Sequence, residues 1–377
     1  MYKIAMWVLA LVALAQVPAQ EAHAQDGITK DTILIGRSAG ITGPIAARTK
    51  PATEAIQAYF DSVNEAGGIN GRRLKLINLD DANEPKRAAE NSRKLINDEK
   101  VFALISQSGG PQTQAVLPVL NEFQTPLIGT TSGADNLRAP NKYLFHLKAS
   151  YTQEFGKMAE HMQTTGVARV AVVASDDTAS RDAMRGAEAA LQKVGLKSVA
   201  SITFKANESA AALDQLAKAN AQAVILIALA APGADFFKEF VKLPVRPQVF
   251  TWSVIVTEAI YKAVGEKAYG LVVSQTVPSP ADRSVSLVRE YQEMLKKAKL
   301  EDGGYAGLEP YIYARVLVEG LKRAGKAPTR PALIAALEGM RDYDLGGDTV
   351  TFGPGDVHAG RRFVELVIVG RDGRFLR

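Results

Sequence analysis

Residues 61–79, DSVNEAGGINGRRLKLINL, carry a helix into a strand through a glycine pair. Upstream, Ala55, Ile56, Tyr59, Phe60 and Val63 recur at helical spacing, which predicts a helix near 52–66 that Gly67-Gly68 ends. Downstream, residues 74–79 (LKLINL) read as a strand. Before the helix, residues 32–36 (TILIG) form a strand of the buried type. After the second strand, Pro85 opens a helix to about Asp98, as proline at a first helical position does. A third strand (101–106, VFALIS), a helix near 112–123 and a strand near 126–129 follow.

The alternation resumes after Tyr143. Strands are predicted near 169–174 (RVAVVA), 197–204, 221–228 and 248–252, with helices near 179–194, 209–220 and 233–241 between them. Continuous apolar strands alternating with helices predict parallel sheets covered on both faces. Two such runs predict an α/β chain of two doubly wound lobes. The tail reads as three helices (284–299, 308–324, 331–340) and two short strands (349–352, 363–369). No low-complexity linker separates the lobes, as it would between tethered domains.

At the N-terminus, Lys3 precedes an apolar run from Ile4 to Ala15, and Ala22-His23-Ala24 places small residues at the −3 and −1 positions. This predicts a signal peptide over residues 1–24, cleaved between Ala24 and Gln25. As a helix the run spans about 18 Å, short of the ~30 Å hydrocarbon core. The chain has no cysteine, which excludes a disulfide framework, a thiol nucleophile and a lipid-anchored N-terminus. The mature protein is therefore expected free in a periplasm. The formal net charge is +5, but the basic residues are scattered and no basic stripe with interleaved aromatics argues for nucleic acid.

Ligands of open parallel sheets bind beyond the carboxyl ends of the strands. Three such loops are rich in Gly, Ser and Thr: 37–44 (RSAGITGP), 107–111 (QSGGP) and 130–134 (TTSGA). Backbone N–H groups and short hydroxyls at a helix N-terminus hold a carboxylate without a basic side chain. The same residue types also serve as ordinary turns and caps. No phosphate-binding, dinucleotide-binding or nucleophile-elbow motif is present. His23, His146, His161 and His358 lack metal-ligand spacing, so neither a catalytic nor a metal site is expected, and no cofactor. The acidic pairs Asp80-Asp81 and Asp176-Asp177 follow strands and read best as turn caps.

The run from Ile33 through Thr42-Gly43-Pro44, the stretch from Asn64 to Gly71 (N-x-x-G-G-I-x-G), and Asp80-Asp81 with Pro85-Lys86 together resemble the leucine/isoleucine/valine-binding protein family of branched-chain-type ABC importers. The resemblance extends over essentially the whole mature chain. It implies a type I periplasmic-binding fold with three crossovers, one lobe over 26–147 with 277–347 and the other over 148–276 with 348–377. It implies a monomeric solute-binding protein that closes on its ligand and docks on a permease driven by ATPase subunits. The carboxylate loops would be Ser108, Gly109 and Gly110 with Thr131, Ser132 and Gly133. Tyr151, Trp252, Ser253 and Arg48 are further cleft candidates, each with a competing role in core, helix entry or solvent. The family pattern fails in the second lobe. Ala179 and Leu229 stand at aromatic positions, and Ser253-Val254 at an acidic one, with Glu258 the nearest acid. A buried ammonium without a carboxylate is costly. The expected solute is therefore an aromatic or aliphatic acid rather than a standard amino acid. A sensor module of the same fold and a secreted α/β hydrolase are the alternatives; the hydrolase lacks a recognisable nucleophile and base.

Overall fold

Strands β1 (Thr32–Ala39), β2 (Arg73–Asp80), β3 (Ala103–Gln107), β4 (Leu127–Thr130) and β5 (Leu144–His146) enclose helices α1 (Ala46–Glu65), α2 (Pro85–Asn97) and α3 (Gly110–Phe123) in a computed structural model. It describes residues 26–43, 45–205, 208–255, 257–355 and 357–376; the expected signal peptide and its cleavage site lie outside them. The chain continues through α4 (Tyr151–Thr164), β6 (Val170–Ser175), α5 (Thr178–Lys193), β7 (Ser198–Phe204), α6 (Ser209–Ala219) and β8 (Ala223–Ile227). Next come α7 (Ala230–Phe240), β9 (Gln248–Thr251), α8 (Thr257–Val264) and β10 (Val272–Gln275). Helices α9 (Ser286–Ala298), α10 (Gly304–Arg323) and α11 (Arg330–Glu338) precede β11 (Tyr343–Asp344), β12 (Thr349–Val350), β13 (His358–Ala359), β14 (Glu365–Val369) and β15 (Phe375–Leu376).

Two sheets result. The first runs β13-β5-β4-β3-β1-β2 and is parallel throughout. The second runs β15-β14-β10-β9-β8-β6-β7, with β14 and β15 antiparallel at one edge. Strands β3, β6 and β8 are buried at every residue, as strands covered by helices on both faces must be. Each sheet has its own core. Met158, Val172, Leu226, Phe236 and Trp252 belong to the second-lobe core. Ile35, Phe60, Tyr291, Leu317 and Leu337 belong to the first, so α9–α11 complete the first lobe. No helix among the described residues is long and apolar enough to cross a membrane.

The two sheets are joined three times, at residues 147–150, 276–285 and 360–364. The last crossing corrects the expected break at 347/348. Strand β13 pairs with β5 in the first sheet, and Val350 and Phe352 pack in the first core. The chain joins the second sheet only at Glu365. The physical reason is burial: His358 stacks on Phe145 of β5 and Phe352 meets the same ring edge to face, contacts that a transfer at residue 348 would remove.

Candidate functional site

Strands β3 and β4 lie side by side, with Gln107 in register with Thr130, so the loops that follow them meet. Thr131 N–H donates to the Gln107 carbonyl at 2.9 Å, and Gly109 N–H to Thr131 Oγ1 at 3.4 Å. Gly109 precedes α3 with φ 77° and ψ 145°, a conformation essentially restricted to glycine, and no side chain caps the helix. Pro111 has no N–H and Thr113 N–H bonds Gly109 C=O, so the first-turn groups of α3 left for an anion are those of Gly110 and Gln112. Beside them the Ser108 hydroxyl is buried and has no hydrogen-bond partner among the described residues. A Cβ on Gly110 would stand 3.0 Å from Ser132 Oγ, so the two loops are in van der Waals contact.

The second loop is hydrogen-bonded to the residue that follows the first crossing. Gly133 C=O accepts from Tyr151 N–H at 2.8 Å, and Ser132 Oγ lies 3.4 Å from the Tyr151 hydroxyl. Tyr151 is the first residue of α4, which starts on a capping box between Ser150 and Gln153. Burial pushes its phenol up to about 12, so it stays protonated. Its ring meets Trp252 at 4.7 Å between centroids. Trp252 itself is 1% exposed, stacks on Phe155 and donates its indole N–H to Ala228 C=O at 3.0 Å. It supports Tyr151 from the core and offers no donor of its own.

Ser108, Gly109, Gly110, Thr131, Ser132, Gly133, Tyr151 and Trp252 thus form one contiguous group, and Ser253 extends it. Arg48 is half-buried on α1, and no hydrogen bond or ion pair joins its side chain to this group among the described residues. Ala179 and Leu229 are exposed at the carboxyl-end rim of the second sheet. The acidic pairs act as turn and cap residues. Asp80 accepts from the N–H groups of Ile41, Thr42 and Ala82, and Asp177 accepts from Ser180 N–H at the start of α5.

Sequence reasoning missed Glu154. This carboxylate is fully buried in the second lobe, where it accepts from Ser253 N–H at 2.8 Å, Ser253 Oγ at 3.0 Å and Ser274 Oγ. Desolvation raises its pKa, opposed by Lys148 and these hydrogen bonds. An acid therefore does stand behind Ser253, supplied by a distant helix. The side chain of Glu258 is not among the described ones.

A cavity of about 500 Å³ lies elsewhere, at the amino ends of β9 and β10, lined by Arg246, Gln248, Tyr269 and Arg371 among others. It is the wrong end of the sheet for the loop cluster, and strand-end topology is the better guide to the site.

A sequence profile described as periplasmic binding protein matches residues 32–371. An "amino acid binding protein" of Pseudomonas aeruginosa is 27% identical over 171 residues, 44% of this chain; the match spans 45% of that relative's length. "Leu/Ile/Val-binding protein homolog 3" of Brucella melitensis is 22% identical over 324 residues, 85% of this chain and 87% of its own. The crystal structure of an "extracellular ligand-binding receptor" from Verminephrobacter eiseniae superimposes with a TM-score of 0.84 at 30% identity, covering 92% of this chain and 100% of its own.

Proposed function

Because this chain belongs to the periplasmic binding protein family, whose members are solute-binding proteins rather than enzymes, we propose that it captures a small carboxylate-bearing solute between its lobes and delivers it to an ABC importer. Ser108 carries this reading. A buried hydroxyl without a partner costs about 1–3 kcal/mol, and here it adjoins an uncapped helix N-terminus. A carboxylate seated there accepts from the hydroxyl and from the α3 N–H groups together. The exposed aliphatic Leu229 and small Ala179 at the opposing rim favour an aromatic or aliphatic acid body. Mechanism in this setting is capture and release: each sheet stays rigid and the three crossings flex.

The test is a thermal-shift screen of benzoate, hexanoate and branched-chain amino acids. A solute at 100 times its Kd adds about 2.7 kcal/mol of stability. Ser108→Ala is expected to weaken an acid that binds by roughly tenfold or more, the value of a hydrogen bond to a charged group. Failure of every acid and amino acid to shift the melting point would sink the proposal.

Glu154 favours a second reading, in which the solute is a branched-chain amino acid. Ser253 gives its hydroxyl proton to Glu154, so the lone pairs left on Ser253 Oγ suit an ammonium donor. Under that reading Glu154→Gln abolishes leucine binding, whereas a simple acid retains its affinity. Titration calorimetry of both solutes against both proteins separates the two.

A further inference from the structure

All three crossings meet in one buried polar cluster. Arg361, on the third, is 2% exposed. It donates to Leu147 C=O on the first at 2.8 Å and to Thr276 C=O on the second at 3.2 Å, and pairs with Asp348. Lys148, also on the first crossing, donates to Thr276 Oγ1 at 2.9 Å and reaches Glu309 at 3.2 Å. Glu309 comes from α10 of the first lobe and is 5% exposed. Its other oxygen faces the Tyr313 hydroxyl, one helical turn along. The single proton of that hydroxyl is shared between Glu309 and Thr130 C=O, which lies 3.0 Å away where β4 enters the Thr131–Gly133 loop. The Tyr313 ring also packs on Gly129, where any Cβ would stand 2.3 Å from it. Burial and the Glu309 charge hold the Tyr313 phenol protonated.

We propose that Glu309 is a positioning residue of the binding cycle, tying the candidate ligand loop after β4 to the hinge strands through Tyr313 on one side and Lys148 on the other. This rests on the solute-binding reading above. The loop and the residues at the crossings are coupled because, besides the Gly133–Tyr151 contact, a run of buried polar contacts through Tyr313, Glu309 and Lys148 joins them. A solute that orders Thr131 and Ser132 orders Thr130, and through Tyr313 and Glu309 it fixes Lys148 and Thr276, which belong to two of the three crossings. A buried polar chain with a charged pair, Glu309 and Lys148, at its centre is stiff in a low-dielectric interior, and losing one link leaves a charged partner less satisfied. Coupling between loop occupancy and closure follows.

The test uses Glu309→Gln, Tyr313→Phe and the double variant, in the full mature chain. The chain has no cysteine, so nitroxide labels at Lys86→Cys and Arg185→Cys report the distance between lobes without background. Benzoate and leucine are titrated against each protein, and melting points are measured without solute. Each single variant is expected to weaken the solute that wild type binds by about 5- to 150-fold, the range of ordinary coupling energies. The double variant is expected to lose no more than the worse single one, and the inter-lobe distances without solute are expected to broaden. Wild-type affinity and wild-type distances in the variants, with only the melting point lowered, would overturn the proposal and leave a purely structural role. Where Glu309→Gln fails to fold, Tyr313→Phe carries the test, because it keeps the ring against Gly129. A wild type that binds neither solute overturns the binding reading instead, and the distance distributions still decide the clamp.

Discussion

His146 shows how burial sets the behaviour of one residue. Its Nε2 meets Leu137 C=O at 3.1 Å, while its Nδ1 is buried without a partner among the described residues. Burial, assisted by the charges of Arg138 and His358, lowers its pKa from the ordinary 6.5 to about 3. The unfolded chain takes up a proton below pH 6.5 that the folded chain refuses until about pH 3. Stability is therefore whole above pH 6.5 and falls as the pH drops through that window, by about 2 kcal/mol at pH 5. His146→Gln is expected to flatten urea-measured stability between pH 6.5 and 4; an unchanged slope would remove His146 as the cause. In the sequence this histidine stood out only for lacking metal-ligand spacing. Glu154 was equally silent, because its partners Ser253 and Ser274 lie 99 and 120 residues away. A carboxylate's role is legible only when its partners are local, as with Asp177 and Ser180.

At the scale of elements, the signals that worked were periodicity and punctuation. Pro85 begins α2, as its fixed φ and missing N–H suit a first helical position. Helix α1 starts at Ala46, six residues before the expected Ala52, with Pro51 inside it. Helix α4 was legible only as a helix entry at Tyr151, without a span, although Ser150-Tyr151-Thr152-Gln153 is a capping-box pattern; its helix carries Gly156 and mixed polarity that blur the apolar stripe. The loop before α3 was legible as a glycine-rich turn, but its conformation was not. Gly109→Ala would place a Cβ 2.0 Å from Gln112 Oε1 on backbone that excludes side chains. It is expected to cost about 1–3 kcal/mol and to weaken solute binding, since the loop must move to relieve it. Equal denaturation midpoints and equal titrations would contradict that.

For the whole molecule, the sequence by itself determined that there are two α/β lobes with parallel sheets and which strand ends carry ligand-type loops. Those features are written in local order: apolar runs, helical spacing, glycine at turns. The residues from Asn64 to Gly71 also carried the family, which the profile over residues 32–371 bears out. Tertiary structure alone decided where the third crossing falls, because residues 349–359 are held by Phe145, a partner some 200 positions earlier, in a contact no local pattern encodes. It alone set Glu154 behind Ser253, and it alone brought Lys148, Thr276, Glu309 and Arg361 together at the hinge. Burial turns these scattered polar residues into a connected group, since each has to find its partner where water is absent, and the chain's path decides which partner that is.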